Sequence, residues 1–308
     1  MRKMCLETVF ELAKKNNKIV FIGSDLGPGV LDNFKKKYPN RFLMEGVAEQ
    51  AIIGMAAGLA MQKFRPYVNT IATFITRRAF EQVVIDLCLH NLPVTLIGNG
   101  GGMVYAPLGP THQAIEDISI MRTLPNLTIL APCDSNDMKN LVLQTTKIKG
   151  PIYIRIARGG EKIITNGKKS KIGKGLVLKS QTKFNFLTTG ITAQIALDAA
   201  KKIKKKYNMD VGVIHFSTVK PLDKKLLKKK IINSKKIITI EENIVEGGFG
   251  SSILEFSSNL KKSKNNIHIV GLKSEFSKKY GTQQEILEFN NLKDEYLCKK
   301  MYNFIIND

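Results

Sequence analysis

Residues 67–102, YVNTIATFITRRAFEQVVIDLCLHNLPVTLIGNGGG, decide the fold class. Tyr67–Ile71 is a short β-branched run that reads as a strand. Arg78–His90 spaces its apolar residues as a helix does, and Pro93–Gly98 is a second strand-like run. Strand, helix and strand in succession make one β-α-β unit, the element from which mostly parallel sheets are built. The second run ends in Asn99-Gly100-Gly101-Gly102, where the backbone must turn sharply or come close to another group.

The same rhythm extends outward. Upstream lie an amphipathic N-terminal helix, a strand at Lys18–Gly23 and a Gly/Ala-rich helix at Gly46–Gln62. Downstream come a helix at Ala114–Thr123, a strand at Leu127–Ala131, a helix at Asp134–Thr145 capped by Asp134 or Ser135, and a strand at Tyr153–Ile156. Gly159–Gly175 is polar and rich in glycine and lysine, which suits a linker. From Phe184 the alternation restarts: strands at Phe184–Thr188, Val211–His215, Lys236–Ile240 and Ile267–Gly271, helices at Ile191–Tyr207, Leu222–Ile232 and Gly250–Lys261. The expectation is an α/β protein of two doubly wound domains, 1–160 and 181–308, with 161–180 between them.

Composition narrows the function classes. A 308-residue chain that is 43% apolar and 24% charged has room for two globular cores and is not disordered. Its longest apolar stretch, Ile52–Met61, is about half of what a membrane span needs, and the N-terminus lacks the apolar core of a secretory leader. The cysteines at 5, 88, 133 and 298 form no CxxC pair, which argues against a zinc site or a disulfide framework and fits a reducing, cytoplasmic setting. The net charge of +22 invites a nucleic-acid reading. Residues 161–308, however, hold 29 basic against 14 acidic residues, and every basic one is lysine. Groove and phosphate readers lean on arginine with interleaved aromatics. The runs at 201–206 and 224–230 therefore read as wet helix faces, and neither specific nucleic-acid binding nor a membrane role is expected.

Three segments carry chemistry. Glu45-Gly46-Val47-Ala48-Glu49-Gln50 opens the Gly/Ala-rich helix, where a carboxylate faces either the helix amides or a bound group. TIATFITRRAFEQ (70–82) offers Phe74 and Phe80 as rings for stacking or for the core, and Arg77–Arg78 as an anion contact. Gly109-Pro110-Thr111-His112-Gln113 lodges one of only four histidines in a loop just past the glycine turn. Loops beyond strand ends are where open α/β sheets place ligands.

The ordered set GVAEQ (46–50), ATFITRRAFEQ (72–82), GPTHQAIED (109–117), LPNLTILAPCD (124–134), GPIYIRIARGG (150–160), STVKPLD (217–223) and IEENIVEGGFGSS (240–252) resembles the transketolase family. Specifically it is similar to that family's C-terminal section, the pyrimidine-binding domain followed by the transketolase C-terminal domain, over nearly the whole chain. The resemblance implies thiamine diphosphate as cofactor. It implies that Glu49 bonds N1′ of the aminopyrimidine and activates the cofactor as a base, that Phe74 or Ile75 stacks on the ring, and that Arg78 lies in the cofactor site. It further implies that His112 contacts the substrate at the reacting carbons and that Arg158 clamps the phosphate end of a sugar phosphate. The second domain would serve mainly in assembly, with EGGFG (246–250) as its close-packed turn.

Two departures qualify what the resemblance implies. Transketolases carry an aspartate four residues before the histidine, where it binds a donor hydroxyl; Leu108 stands there in this chain and makes that wall apolar. The diphosphate-binding domain, with its Mg2+ motif, has no counterpart in the sequence. The reading is thus one subunit of a split transketolase that transfers a two-carbon ketol unit between sugars. It would homodimerise and pair with a separate N-terminal subunit as an α2β2 heterotetramer, the partner ligating Mg2+. The rival readings are a 2-oxo acid dehydrogenase β subunit and a non-catalytic assembly subunit. A deoxyxylulose-phosphate-synthase-like role is disfavoured because that family carries both halves on one chain. EEN (241–243) does resemble it, but is expected to lie far from the chemistry.

Overall fold

The computed structural model describes residues 1–23, 29, 31–157, 159–260 and 266–307. Its architecture is α/β, with two mostly parallel sheets flanked by helices. The first sheet has the order β10-β5-β6-β4-β3-β1-β2. Its strands are β1 (Ile19–Gly23), β2 (Phe42–Met44), β3 (Arg65–Ile71), β4 (Thr95–Asn99), β5 (Thr128–Leu130), β6 (Ile152–Ile156) and β10 (Thr218–Lys220). The second has the order β12-β11-β8-β9-β7. It comprises β7 (Leu176–Lys179), β8 (Phe184–Thr188), β9 (Gly212–His215), β11 (Lys236–Ile244) and β12 (Asn266–Leu272). Among the described strands, only β10 against β5 and β7 against β9 run antiparallel. The central strands β1, β4 and β6 are buried along their whole length, as parallel strands covered by helices on both faces must be.

The helices are α1 (Arg2–Lys15), α2 (Asp32–Lys37), α3 (Glu49–Met61), α4 (Asp117–Arg122), α5 (Ser135–Thr145), α6 (Thr192–Tyr207), α7 (Lys224–Asn233), α8 (Phe249–Ser258), α9 (Gln283–Phe289) and α10 (Asp294–Ile306). None of the described helices is long and apolar enough to cross a membrane. Between β3 and β4 the chain winds as one helical segment, Phe74–Arg78, Phe80–Gln82 and Val83–Leu89, with π-type turns at both ends. Elements recognised from periodicity fall where expected. The short strands β2, β7 and β10 leave no clear mark in the sequence, since runs of three or four residues carry too little pattern to stand out.

The two sheets are joined rather than merely tethered. One apolar cluster runs from Ile53, Val68 and Leu96 beside the first sheet to Phe216, Leu227 and Phe249 beside the second. β10 leaves the second half of the chain to complete the edge of the first sheet. Asp134 caps α5 by accepting from Asp137 N (2.8 Å), and it also accepts from the backbone N–H groups of Ile164 and Thr165 at 2.8 Å each. The polar stretch after β6 is pinned by that carboxylate. Asp137 in turn accepts from Ser217 Oγ at 3.0 Å and pairs with His215 Nε2 at 3.1 Å, across the sheet junction.

The glycine turn at 247–250 packs closely because Glu241 reaches into it. Its fully buried carboxylate accepts from Phe249 N and Gly250 N, the first amides of α8. Burial nonetheless pushes the Glu241 carboxyl up to about 8, the two amide bonds only partly opposing it. A folded-state value above the unfolded one makes the native chain hold more protons. The associated stability is therefore complete below about pH 4.3 and is lost as pH rises through about 8. Burial raises the Glu242 and Asp117 carboxyls in the same direction. Thermal melts should show Tm falling from pH 5 to pH 8. Glu241→Gln, which keeps an acceptor for the amides, should flatten that fall. An unchanged slope in the variant would show that Glu241 does not hold its proton in the fold.

Candidate active site

β1, β2, β3, β4 and β6 are parallel, so the loops after them share one edge of the first sheet. That edge gathers the predicted residues. Glu49 occupies the first turn of α3 and is 2% exposed. Its Oε1 accepts from Thr70 Oγ1 of β3 at 3.2 Å and its Oε2 from Arg78 Nη1 at 2.7 Å. Phe74 opens the π-type turn after β3. The wide turn separates two consecutive arginines: Arg78 lays its guanidinium over the Phe74 ring, 4.4 Å from the centroid, while Arg77 points to the histidine loop. The His112 ring stands edge-on to Phe74 with centroids 5.2 Å apart, and its Nδ1 is 2.8 Å from Thr111 Oγ1. Glu49, Phe74, Arg78 and His112 thus line one rim.

Several expectations change. Ile75 is fully buried in the core beside Val83 and cannot stack on a ligand, leaving Phe74 as the available ring. Arg77, read as an anion contact, is a loop clamp. It binds Glu116 with Nε and Nη2, the latter at 2.9 Å, and donates to Gln113 O at 2.7 Å and Pro110 O at 3.3 Å. Leu108 is 53% exposed and lies on the same loop as His112. Arg158 lies outside the described residues. Gly159 and Gly160 after it line a cleft of about 450 Å³ with Ile191, Gln194 and Leu287, and none of Glu49, Phe74 or His112 reaches it.

The glycine turn packs against two charged groups. A Cβ at Gly101 would collide with Arg155, and one at Gly102 with the Glu242 carboxylate. Gly102 also takes φ +70°, a conformation glycine adopts without strain. Arg155 is buried and pairs through Nε with Asp117 Oδ2 at 3.0 Å. Its Nη2 donates to Ala114 O at 3.0 Å and Glu242 O at 2.7 Å. Glu242 Oε1 accepts from Met103 N at 2.9 Å. EEN (241–243) is therefore built into the base of the loop that carries Leu108 and His112. The glycines signalled a close approach, but sequence alone could not name a partner more than a hundred residues away.

The rim offers a desolvated acceptor, a flat apolar face and an imidazole. A carboxylate held in a low dielectric bonds N–H groups more strongly than one in water. Arg78 displays the kind of group this corner takes: a flat, N–H-bearing plate stacked on Phe74 and bonded to Glu49. Among the described residues, one group of three metal-type donors lies close together, Cys133, Asp137 and His215. It is fully buried at the sheet junction, with Asp137 already bonded to His215 and Ser217.

Comparison with known proteins gives these features a family. The sequence model of the transketolase pyrimidine-binding domain matches residues 1–160, and that of the transketolase C-terminal domain matches residues 173–292. The chain is 38% identical over 253 residues to a 1-deoxy-D-xylulose-5-phosphate synthase of Clostridium perfringens (strain SM101), covering 81% of this chain and 40% of that one. Against the synthase of Geobacillus sp. (strain WCH70) it is 35% identical over 304 residues, 97% of this chain and 48% of that one. It thus spans less than half the length of these curated relatives. Among solved structures, a split-gene transketolase described as an inactive beta4 tetramer superposes with a TM-score of 0.89 at 31% identity. That match covers 98% of this chain and 97% of that one. With both domain signatures in order and a same-length relative sharing the fold, the chain belongs to the transketolase family.

Proposed function

We propose that this chain is the pyrimidine-binding and C-terminal subunit of a thiamine-diphosphate enzyme that transfers a two-carbon ketol unit between sugar phosphates. The observation that carries this is the buried Glu49 carboxylate and the Phe74 ring bridged by one partly exposed guanidinium, that of Arg78, at the carboxyl edge of the sheet. Bound thiamine diphosphate would supply an acidic thiazolium carbon and an electron sink. Glu49 would accept a hydrogen bond at N1′ of the pyrimidine, and Phe74 would hold its flat face. His112 would donate to the oxygen of the reacting carbonyl as charge develops there. Arg78 is 44% exposed at its side chain and can swing off Phe74 into solvent. Residues 1–160 and 181–308 are taken as the two functional units, with 161–180 between them.

Mg2+ requires several oxygen ligands in octahedral array, which the Cys133, Asp137 and His215 group does not offer. We therefore assign the metal and the diphosphate to a separate subunit, in an α2β2 enzyme of the cytoplasm. A split-gene relative of the same length, inactive as a beta4 tetramer, supports a partner requirement. The self-association surface is the outer face of α3. Its inner face is buried through Ala56, Ala57 and Ala60. Gly54 and Gly58 face outward beside exposed Met55 and Met61, with exposed Ile85 and Leu89 on the neighbouring helical segment.

A second reading follows from the curated relatives, whose names specify a 1-deoxy sugar product. A two-carbon unit lacking its hydroxyl needs no carboxylate at position 108, and Leu108 gives it an apolar wall. Xylulose 5-phosphate against pyruvate as donor, in one reconstituted enzyme, separates the two readings.

Calorimetry should find tight thiamine diphosphate and Mg2+ binding only when the chain is mixed with a diphosphate-binding-domain partner. Failure of the mixture to bind would overturn the proposal. In the assembled enzyme, Glu49→Gln should lower kcat by 10²-fold or more while Tm stays within a few degrees, because the activating carboxylate is lost but the side-chain volume is kept. Gly58→Leu should leave the fold intact, since a Cβ there meets nothing within 4 Å. Sedimentation of that variant should nonetheless show loss of self-association; an unchanged mass would place the interface elsewhere.

A further inference from the structure

The loop that bears Leu108 and His112 belongs to the first half of the chain, yet its apolar anchors are in the core of the second. Met103, Ala106 and Ile115 are buried in one cluster with Phe186, Ile238, Ile286 and Leu287. Glu242 of β11 ties Met103 N to the loop base and also accepts from Gln283 Nε2 at 2.7 Å, at the start of α9. Ile244 N donates to Ile115 O at 2.8 Å. At the tip, Gly109 takes φ +78°, and a Cβ built on it would stand 2.7 Å from Cε1 of Tyr280. Tyr280 is 68% exposed overall, so one edge of its ring lies on Gly109 while the rest faces solvent.

We propose that the second domain is the template for the substrate loop, and that Tyr280 is the residue that positions Gly109 to His112 from that side. Arg77 holds the same loop from the first sheet through Pro110, Gln113 and Glu116. The loop is gripped from two sides, and its tip has little backbone support of its own: Leu108 N to Tyr105 O, Gly109 N to Ala106 O and His112 N to Gly109 O. Such turns open readily when packing over them is removed. The ring supplies that packing; no hydrogen bond from its hydroxyl is required. The inference rests on the reading of His112 as a substrate contact only for its catalytic consequence, because the grip itself is a property of this chain.

The test uses the full chain with Tyr280→Ala and Tyr280→Phe. Amide hydrogen exchange over 108–112 should be at least tenfold faster in the alanine variant and within twofold of wild type in the phenylalanine variant. Exchange in β3, β4, β8 and β11 should be unchanged in both. The His112 ring resonances should shift and broaden with alanine and recover with phenylalanine. Equal exchange in wild type and Tyr280→Ala overturns the proposal, as does a rise spread over every element or a failure of phenylalanine to rescue. Thiamine diphosphate affinity in the assembled enzyme, measured alongside, should stay within twofold for both variants. If even the wild-type assembly does not bind the cofactor, the functional reading falls while the exchange data still decide the role of Tyr280.

Discussion

The buried guanidinium of Arg155 is the constraint on which the site depends. It sits on β6 in the middle of the first sheet, paired with Asp117, and donates to backbone carbonyls on either side of the domain junction, at Ala114 and Glu242. A buried cation without partners would cost several kcal/mol, so each of these groups must be where it is for the sheet centre to tolerate the charge. Tyr153 adds a 2.6 Å hydrogen bond to Asp117. Satisfying Arg155 fixes the end of the histidine loop at Ala114, the start of α4 and the bend of β11 in one arrangement. Burial drives the Asp117 carboxyl up and the Arg155 charge only partly opposes that shift, while Asp117 raises the guanidinium against its own burial.

Glu242 extends the same logic to the glycine turn. Its carboxylate lies where a side chain at 102 would otherwise be, as Arg155 does at 101 and the Tyr105 ring at 100, which is why Asn99 is followed by three glycines. The first-sheet loop can then descend into the second-sheet core through Met103, Ala106 and Ile115. An assembly domain would need only a surface contact with its neighbour. A domain whose core contains Met103, Ala106 and Ile115 of the loop bearing His112 also shapes that loop.

Much of the fold was legible because long β-branched runs and helical spacing are strong signals, as at 93–98 and 192–207. The shorter strands β2, β7 and β10 were silent because they are held by the edges they pair with rather than by their own pattern. Within the site, Glu49, Phe74 and His112 stood out through their motifs, and the structure brings them together. The roles of Arg77, Glu242 and Tyr280 did not. Arg77 reads like its neighbour Arg78 in sequence, and only the wide turn sends the two in different directions. Glu242 and Tyr280 act across 139 and 171 residues of chain on Met103 and Gly109, a separation that no local pattern encodes.

The Arg78 pair with Glu49 bears on why such a site can be stable without its ligand. A carboxylate with only Thr70 for a partner would be a buried, half-solvated charge, which is costly to the fold. Arg78 fills the gap with a plate that also covers Phe74. Because the Arg78 side chain is 44% exposed, it can give up this place for solvent when another donor meets Glu49. On the proposed reading, a flat N–H-bearing ligand replaces one set of hydrogen-bond and stacking contacts with an equivalent set. Little affinity is spent on the exchange, and the rest of the binding free energy must come from groups outside this chain. That division of labour is what a site split between two subunits requires: one chain keeps a satisfied, displaceable half, and the other supplies the charge that anchors the ligand.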